Sequence, residues 1–417
     1  MGTDVKESPM ADTISEEEFE RAALTFLEAH AEPRVQADEG WGEGSDQVSL
    51  LPERTLEEEL AELTAARAWA QTRFDAGFSW ITGPVAYGGR GLNRDYQRLY
   101  ESIEARFETP PMTPYGIGLG MVAPTILAHA IDEVKELYLK PLWRGDIVAC
   151  QLFSEPGAGS DLAGVQTKAV RDGDEWLLTG QKVWTSGAHL SDIGEIICRT
   201  DPDAPKHKGL TCFVVDMRAP GVEIRPLRQM TGGASFNEVF FTEVRVPDSH
   251  RLGDVNGGWS VALTTLMNER AAIGGGSMSS GSGNLSTPRL IELVRHQGKA
   301  ADPLVRQQLA DIFIHGRVAS YTNLRAMAKI AGGQAPGPEM SIAKLSLTMN
   351  MRRMTELLSS VLGPKLVADS GEWGTYAWSQ FFLGLPGMRI AGGTDEVLHN
   401  IIGERVLGLP KEPAVKA

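Results

Sequence analysis

The stretch Gln151-Leu-Phe-Ser-Glu-Pro-Gly-Ala-Gly-Ser-Asp161 decides how the rest of the chain is interpreted. An apolar run leads into it, and a proline and two glycines then break any regular element. What remains is a loop of small residues whose backbone amides can approach a planar or phosphorylated ligand closely. The hydroxyls of Ser154 and Ser160 can form hydrogen bonds at its rim. Taken alone, such a loop is more often an ordinary polar turn.

A second segment, Gly180-Gln-Lys-Val-Trp-Thr-Ser-Gly187, adds an aromatic plate and two hydroxyls just beyond a hairpin signal at Asp172-Gly173. In this order and spacing the two segments resemble the acyl-CoA dehydrogenase family. There they read roughly x-x-x-T/S-E-P-x-A-G-S-D and G-x-K-x-W-I/T-T/S, and together they hold the isoalloxazine ring of FAD. The resemblance covers nearly the whole chain, from about Phe19 to Leu409.

Length, composition and charge limit the number of domains and the kinds of partner. A chain of 417 residues predicts two or three domains, and a net charge of -14 argues against nucleic acid or an anionic membrane as partner. Without a signal-peptide pattern or a run of about 18 apolar residues, we expect no export, no membrane span and a cytoplasmic location. Cys150, Cys198 and Cys212 lie in apolar segments without metal-ligand spacing, which predicts buried free thiols.

The periodicity of apolar residues changes twice along the chain. Helical spacing dominates residues 1–148, beginning with a capping box at Ser15–Glu18 after about 13 residues expected to be disordered. Short strand-like runs in residues 149–250 are typical of a small β-barrel or sandwich. Helical spacing returns in residues 251–417, where it predicts helices over 259–273, 290–295, 305–330, 340–362 and 394–406. We therefore predict an α+β multidomain fold with helical, β and helical domains, and the resemblance implies a C-terminal four-helix bundle that also makes oligomer contacts.

The resemblance assigns the cofactor contacts to Gln151, Phe153, Ser154, Ser160, Trp184, Thr185, Ser186, Arg295, Gly363, Thr394 and Glu396. It implies that Trp184 packs on the ring, that Ser186 lies on the N5 side, and that Ser160 lies at the boundary between cofactor and substrate. Arg295 resembles an arginine that reaches the FAD pyrophosphate of a neighbouring subunit. The residues after it depart from the usual aromatic-glycine pair, so a solvated arginine at a helix end is an equal alternative.

The segment Ile390-Ala-Gly-Gly-Thr-Asp-Glu396 bears on the reaction. Thr394 is a good N-cap, so Gly393 and Thr394 should present free N–H groups where flavin or CoA would lie. The best-known family members carry x-E-G-T here, with the glutamate as catalytic base. Gly392 occupies that position and cannot abstract a proton. By resemblance, its N–H still forms half of the hole for the thioester oxygen, and the FAD ribityl hydroxyl forms the other half.

A replacement base is available at Glu269, at the margin of the apolar stripe of a predicted helix. Arg270 falls near the centre of that stripe, and charges there are costly unless paired or functional. For Arg270 we favour an ion pair between helices, although it is also a candidate substrate contact, with Ser160 and Gly393. The isovaleryl and long-chain branch of the family carries its base in a similar x-E-R step. Apolar walls would raise the pKa of this carboxylate, which suits proton abstraction.

These observations predict an FAD-dependent acyl-CoA dehydrogenase. It would oxidise an acyl-CoA to the trans-2-enoyl-CoA by α-proton abstraction and β-hydride transfer to flavin N5, with electrons passed to an electron-transferring flavoprotein. The expected assembly is a homotetramer or an α2β2 heterotetramer. Two alternatives stay open: a non-catalytic partner subunit of a heteromeric dehydrogenase, motivated by Gly392, and a flavin oxidase or monooxygenase on the same fold.

Overall fold

The computed structural model describes residues 14–34, 41–274, 285–331 and 337–411. The first 13 residues, expected to be disordered, lie outside this range. The helices are α1 (Glu16–His30), α2 (Leu56–Asp75), α3 (Arg94–Glu104), α4 (Ala123–His129), α5 (Asp132–Arg144), α6 (Gly258–Gly274), α7 (Thr287–His296), α8 (Pro303–Ala331), α9 (Met340–Leu362), α10 (Trp378–Ile390) and α11 (Asp395–Ile401). In the described part of the chain, no helix is both long enough and apolar enough to cross a membrane.

The strands are β1 (Glu32–Pro33), β2 (Phe107–Glu108), β3 (Ala149–Leu152), β4 (Lys168–Asp172), β5 (Glu175–Ser186), β6 (Ile193–Arg199), β7 (Leu210–Asp216), β8 (Val222–Leu227), β9 (Phe236–Pro247) and β10 (Arg251–Leu252). Strands β1 and β2 pair with each other, and the other eight form one sheet in the order β10-β7-β6-β4-β5-β9-β8, with β3 beside β6. The predicted α+β fold, helical at both ends with a β region between, is confirmed.

Helices α1 and α2 start where their sequences provide caps. The predicted capping box at Ser15 is present, with the Glu18 amide and side chain both bonded to it. Thr55 forms a second box with Glu58 at the start of α2. Each such cap contributes about 1 kcal/mol to helix stability. The buried face of α1, including Phe19, then packs against α2 and α3, which forms a core of its own.

The central strands β6 and β7 are buried on both faces, which explains their nearly continuous apolar sequence. One face packs against the helices: Ile197 and Val214 share a core with residues of α4, α5 and α6. On the other face, Ile196 and Phe213 pack against β5 and β9. The three cysteines are buried and free, as the sequence predicts.

The hairpin at Asp172-Gly173 follows the sequence prediction, and a π-helical turn precedes β3. Strands β4 and β5 pair in antiparallel register across the turn at Gly173, whose φ is +64°. Residues Gly118–Val122 form a π-helical turn. Gly118 packs against Ala149 of β3, where even an added Cβ would make an ordinary contact at 3.4 Å.

The C-terminal helices surround α9, which contacts α6, α8, α10 and α11. Helix α10 is absent from the sequence prediction because Gly384, Pro386 and Gly387 break its pattern. The glycine has a packing role, since a Cβ at Gly384 would stand 3.1 Å from the Leu50 Cβ of the segment after residue 41. The single helix expected over 394–406 is α11 followed by a π-helical turn, Ile402–Val406.

Candidate active site

The two segments that suggested a flavin platform lie against each other. The Val183 N–H donates to the Ser154 carbonyl at 2.9 Å. The ammonium of Lys182, fully buried, donates to the Phe153 carbonyl at 3.0 Å and to Glu155 Oε1 at 2.8 Å. Strand β5 therefore holds the loop after β3 in place through one buried ion pair and a main-chain bond.

Glu155 also turns the loop back toward β4. Its two oxygens accept the N–H groups of Gln166 at 2.6 Å and Thr167 at 2.9 Å. Burial opposes ionisation, but the attraction to Lys182 and these N–H bonds prevail, so the pKa of Glu155 lies below its usual value. The sequence analysis did not predict the Glu155–Lys182 ion pair, although both residues belong to the two motifs that suggested the flavin site.

Trp184 is held in a conformation that side chains rarely adopt. Its φ is +60°, and a register irregularity between Lys182 and Thr185 accompanies it. A bulky residue in this region costs about 1–3 kcal/mol, and such strain concentrates at functional sites. Trp184 is 59% exposed. Among the described residues its ring pairs only with Phe236, in an edge-to-face arrangement with 6.0 Å between the ring centroids. An exposed ring in a strained setting suits contact with a planar ligand.

Polar atoms beside this ring support the same interpretation. Thr185 Oγ1 is buried without a hydrogen-bond partner among the described residues. Ser186 and Ser154 are half-buried, and Ser160 is exposed in the loop. An unpaired buried hydroxyl costs free energy, which a ligand acceptor would recover. This set fits a planar cofactor with hydrogen-bonding edges, and the isoalloxazine ring of FAD meets that description.

Glu269 lies where the flavin loop, α6 and the C-terminal turn meet. Its carboxylate lies near the Gln151 side chain and the backbone N–H of Gly392, and both of these donors favour its charged form. Burial raises the pKa of Glu269, while the charges of Arg270 and Lys344 and these two donors oppose that rise. The candidate acid therefore lies beside the backbone at the position where the best-known relatives carry theirs.

Arg270 differs from the expectation. Its Nε is buried without a hydrogen-bond partner among the described residues. Burial lowers its pKa, the adjacent Glu269 stabilises its charge, and Arg405 repels it. The carboxylate that stabilises it thus belongs to the same helix. The ion pair between helices that we favoured is not what the described residues show, and the free Nε suits an anionic ligand instead.

The C-terminal turn consists of two glycines in left-handed conformations, with φ of +67° at Gly392 and +94° at Gly393. Thr394 then caps α11 by accepting the Val397 N–H at 3.3 Å, as predicted. Lys344 of α9, which sequence reasoning missed, donates to the Gly393 carbonyl at 2.8 Å. A single lysine in an amphipathic helix gives no sequence signal of such a contact.

Two grooves lie among the C-terminal helices, and the first of them adjoins this turn. One, of about 340 Å³, is lined by Thr394, Glu396 and residues of α9 and α10. The other, of about 400 Å³, has Arg325, Lys329 and Arg405 among its lining residues. Lys329 is paired with Glu339 at 2.9 Å, which leaves the two arginines to give the second groove its positive charge.

Arg295 and Gly363 stand apart from the Glu269 group. Arg295 is exposed at the end of α7, and Gly363 follows the last residue of α9. Lys344 lies in the first turns of α9, so Gly363 is about 28 Å away along that helix at 1.5 Å per residue. Any role of these residues in FAD binding would involve a cofactor bound mainly by another subunit.

Comparison with known proteins agrees with this geometry. Residues 150–244 match the domain described as acyl-CoA dehydrogenase, middle domain, and residues 256–407 match acyl-CoA dehydrogenase, C-terminal domain. Acyl-CoA dehydrogenase FadE34 of Mycobacterium tuberculosis is 40% identical over 88% of this chain, which spans only 47% of FadE34. Acyl-CoA dehydrogenase IpdE1 of the same organism is 37% identical over 83% of this chain and 88% of its own length.

Two solved structures are similar over nearly their whole length. The Tcur3481-Tcur3483 steroid ACAD has a TM-score of 0.71 at 25% identity, covering 95% of this chain and 97% of the other. The ChsE4-ChsE5 complex from Mycobacterium tuberculosis has a TM-score of 0.66 at 26% identity, covering 97% and 100%. The chain belongs to the acyl-CoA dehydrogenase family.

Proposed function

We propose that this protein is an FAD-dependent acyl-CoA dehydrogenase whose catalytic base is Glu269. The observation that carries the proposal is the nearness of the Glu269 carboxylate to two donors, the Gln151 side chain in the flavin loop and the Gly392 N–H. This supports a carboxylate that lies between the flavin platform and the turn that lacks the usual glutamate. When bound, FAD supplies the acceptor for the hydride that leaves the β-carbon.

The surroundings of Glu269 suit the abstraction of an α-proton. A carboxylate whose pKa is raised by burial is a stronger base than one in water, and Arg270 and Lys344 keep it able to ionise. The Gly392 N–H is the donor that the thioester oxygen would take over from the carboxylate. That exchange would stabilise the charge developing on the oxygen and free Glu269 to face the α-carbon.

The substrate is proposed to be a CoA thioester. The chain has a net charge of -14, so an anionic ligand requires local positive charge. Arg270, Arg325 and Arg405 provide it, since Arg405 acts on Arg270 and lines the same groove as Arg325. One structural neighbour is a steroid ACAD, so steroid acyl-CoAs are candidate substrates together with straight and branched fatty acyl-CoAs.

The assembly is proposed to be oligomeric, either a homotetramer or α2β2, with an electron-transferring flavoprotein as acceptor. Large apolar side chains are exposed along α8, among them Phe313, Ile314, Val318, Tyr321 and Leu324. A stripe of this size on one helix is typical of a subunit contact. The α2β2 form is supported by a structural neighbour, the ChsE4-ChsE5 complex, which contains two different chains.

Anaerobic titration of the purified yellow protein with a panel of straight, branched and steroid acyl-CoAs tests the proposal. Loss of the flavin absorbance band is expected with at least one thioester, and Glu269→Gln should abolish it while the protein still binds flavin. Glu292→Gln, which changes an exposed glutamate of α7, is the matched control and should bleach normally.

Unchanged bleaching in Glu269→Gln would remove the assignment of the base. No bleaching by any thioester would favour the second candidate, a partner subunit that keeps the fold while another chain supplies the base. Gly392 is the observation behind that candidate. Hydrogen peroxide formed without an acceptor protein would instead indicate an oxidase.

A further inference from the structure

Lys344 is a fully buried lysine whose ammonium contacts the main chain of the C-terminal turn. It donates to the Gly393 carbonyl at 2.8 Å and to the Arg389 carbonyl at 3.3 Å. Burial lowers its pKa, and the charges of Asp395 and Glu269 counter that effect. A buried ammonium is costly unless it is compensated, so its retention at this place calls for an explanation.

Lys344 lies among several charged groups, and two carboxylates favour its charged form, Asp395 more strongly than Glu269. The groups that face Lys344 and Glu269 are Arg270 on α6, Arg389 at the end of α10, Asp395 on α11 and Arg405 in the following π-helical turn. Asp395 already accepts from Arg389 Nε at 2.7 Å and from the Thr348 hydroxyl at 3.3 Å. Lys344 therefore lies between the Asp395–Arg389 pair and Glu269, and it contributes positive charge to both sides.

We propose that Lys344 is a positioning residue for the reaction: it fixes the Gly392–Gly393 turn through the Gly393 carbonyl and places a positive charge beside the Glu269 site. This inference rests on the proposed function. It extends that function by adding a residue on α9 that need not touch the substrate. One side chain would then both hold the turn and supply positive charge to the base.

Lys344 would act before and after proton transfer. In the resting site its charge stabilises the Glu269 carboxylate. When the α-proton moves to that carboxylate, the electron pair of the C–H bond moves into the thioester and its oxygen gains negative charge beside the Gly392 N–H. The positive charge under the turn then stabilises that oxygen, so Lys344 lowers the energy of both charge arrangements.

Two variants and two measurements test this role. Lys344→Met removes the charge and the hydrogen bonds, and Lys344→Arg keeps the charge. Lys168→Met, on the exposed edge of β4, is the control. The pH dependence of flavin bleaching by an active acyl-CoA should shift to higher pH by about one unit in Lys344→Met, the size expected for one charge several ångströms away. Lys344→Arg keeps the charge, so its pH profile should lie close to that of the wild type.

Hydrogen–deuterium exchange of the peptide that contains residues 390–398 is the second measurement. Faster exchange there in Lys344→Met, with the control unchanged, is expected if the lysine holds the turn. An unshifted pH profile together with unchanged exchange would overturn the proposal. If Lys344→Met does not fold, Lys344→Gln takes its place, because it keeps a donor without the charge and should still show the pH shift.

The exchange measurement needs no substrate, so it also separates the two proposals. If no acyl-CoA bleaches the wild-type protein, the dehydrogenase assignment fails. Slower exchange in wild type than in Lys344→Met would then still support the positioning of the turn, and equal exchange would refute it.

Discussion

Glu195 on β6 is a buried acid that should make the protein less stable as the pH rises. Its side chain is fully buried, and burial raises its pKa from 4.5 to about 8. One oxygen accepts from the Thr265 hydroxyl at 2.6 Å, and the other has no hydrogen-bond partner among the described residues. The folded state therefore binds a proton at neutral pH that the unfolded chain releases.

The size of the effect follows from the two pKa values. Between 4.5 and about 8 the folded state holds more protons than the unfolded state, so stability falls as pH rises through this window. Ionisation of this one group accounts for about 3 kcal/mol between pH 5 and pH 8, at about 1.4 kcal/mol for each pKa unit. The loss should level off above the folded-state pKa.

Glu195→Gln isolates this contribution, because glutamine keeps the shape and can still accept from Thr265 but does not titrate. Urea unfolding of wild type and variant at pH 5, 6, 7 and 8 should show their free energies of unfolding diverging in favour of the variant as the pH rises. Glu136→Gln, exposed on α5, is the control and should parallel the wild type. If the wild-type and Glu195→Gln curves run parallel across this range, Glu195 does not titrate as its burial indicates.

Two further substitutions test how the site is built. Glu155→Gln leaves Lys182 buried without a carboxylate, so urea unfolding should show a loss of about 3–5 kcal/mol, whereas the double variant with Lys182→Met should lose less. Gly258→Ala, at the start of α6, places a Cβ 2.7 Å from the Thr211 Cα and should slow flavin bleaching because it displaces the helix that carries Glu269. Gly316→Ala on α8 is the control and should have little effect, since its Cβ would come no closer than 3.4 Å to a neighbouring atom.

The sequence predicts elements whose determinants are local. The cap at Ser15, the turn at Gly173 and the N-cap at Thr394 are each decided by a few adjacent residues, and each is present. Helix α10 was missed because Pro386 and neighbouring glycines imitate a loop, and only packing against the segment near Leu50 reveals the helix.

Contacts between distant residues could not be predicted in the same way. Lys182 and Lys344 are single lysines in amphipathic strands or helices, and their importance lies in the carbonyl groups that the fold brings to them. The same holds for Arg270, whose expected partner on another helix is replaced by the adjacent Glu269. Periodicity assigns a residue to a face, but it does not identify what lies across from that face.

In the proposed mechanism, the position of Glu269 explains how a glycine can stand at the usual site of the base. In the best-known relatives one residue supplies both an acid and a backbone donor, and only the acid requires a side chain. Under the proposal the donor is the Gly392 N–H, and the acid is Glu269 of α6. The two functions now depend on separate elements, so their relative placement must come from residues that contact both. Gln151 and Lys344 interact with this group from β3 and α9. The site should therefore tolerate changes on the surface of α6 better than changes at these two supports.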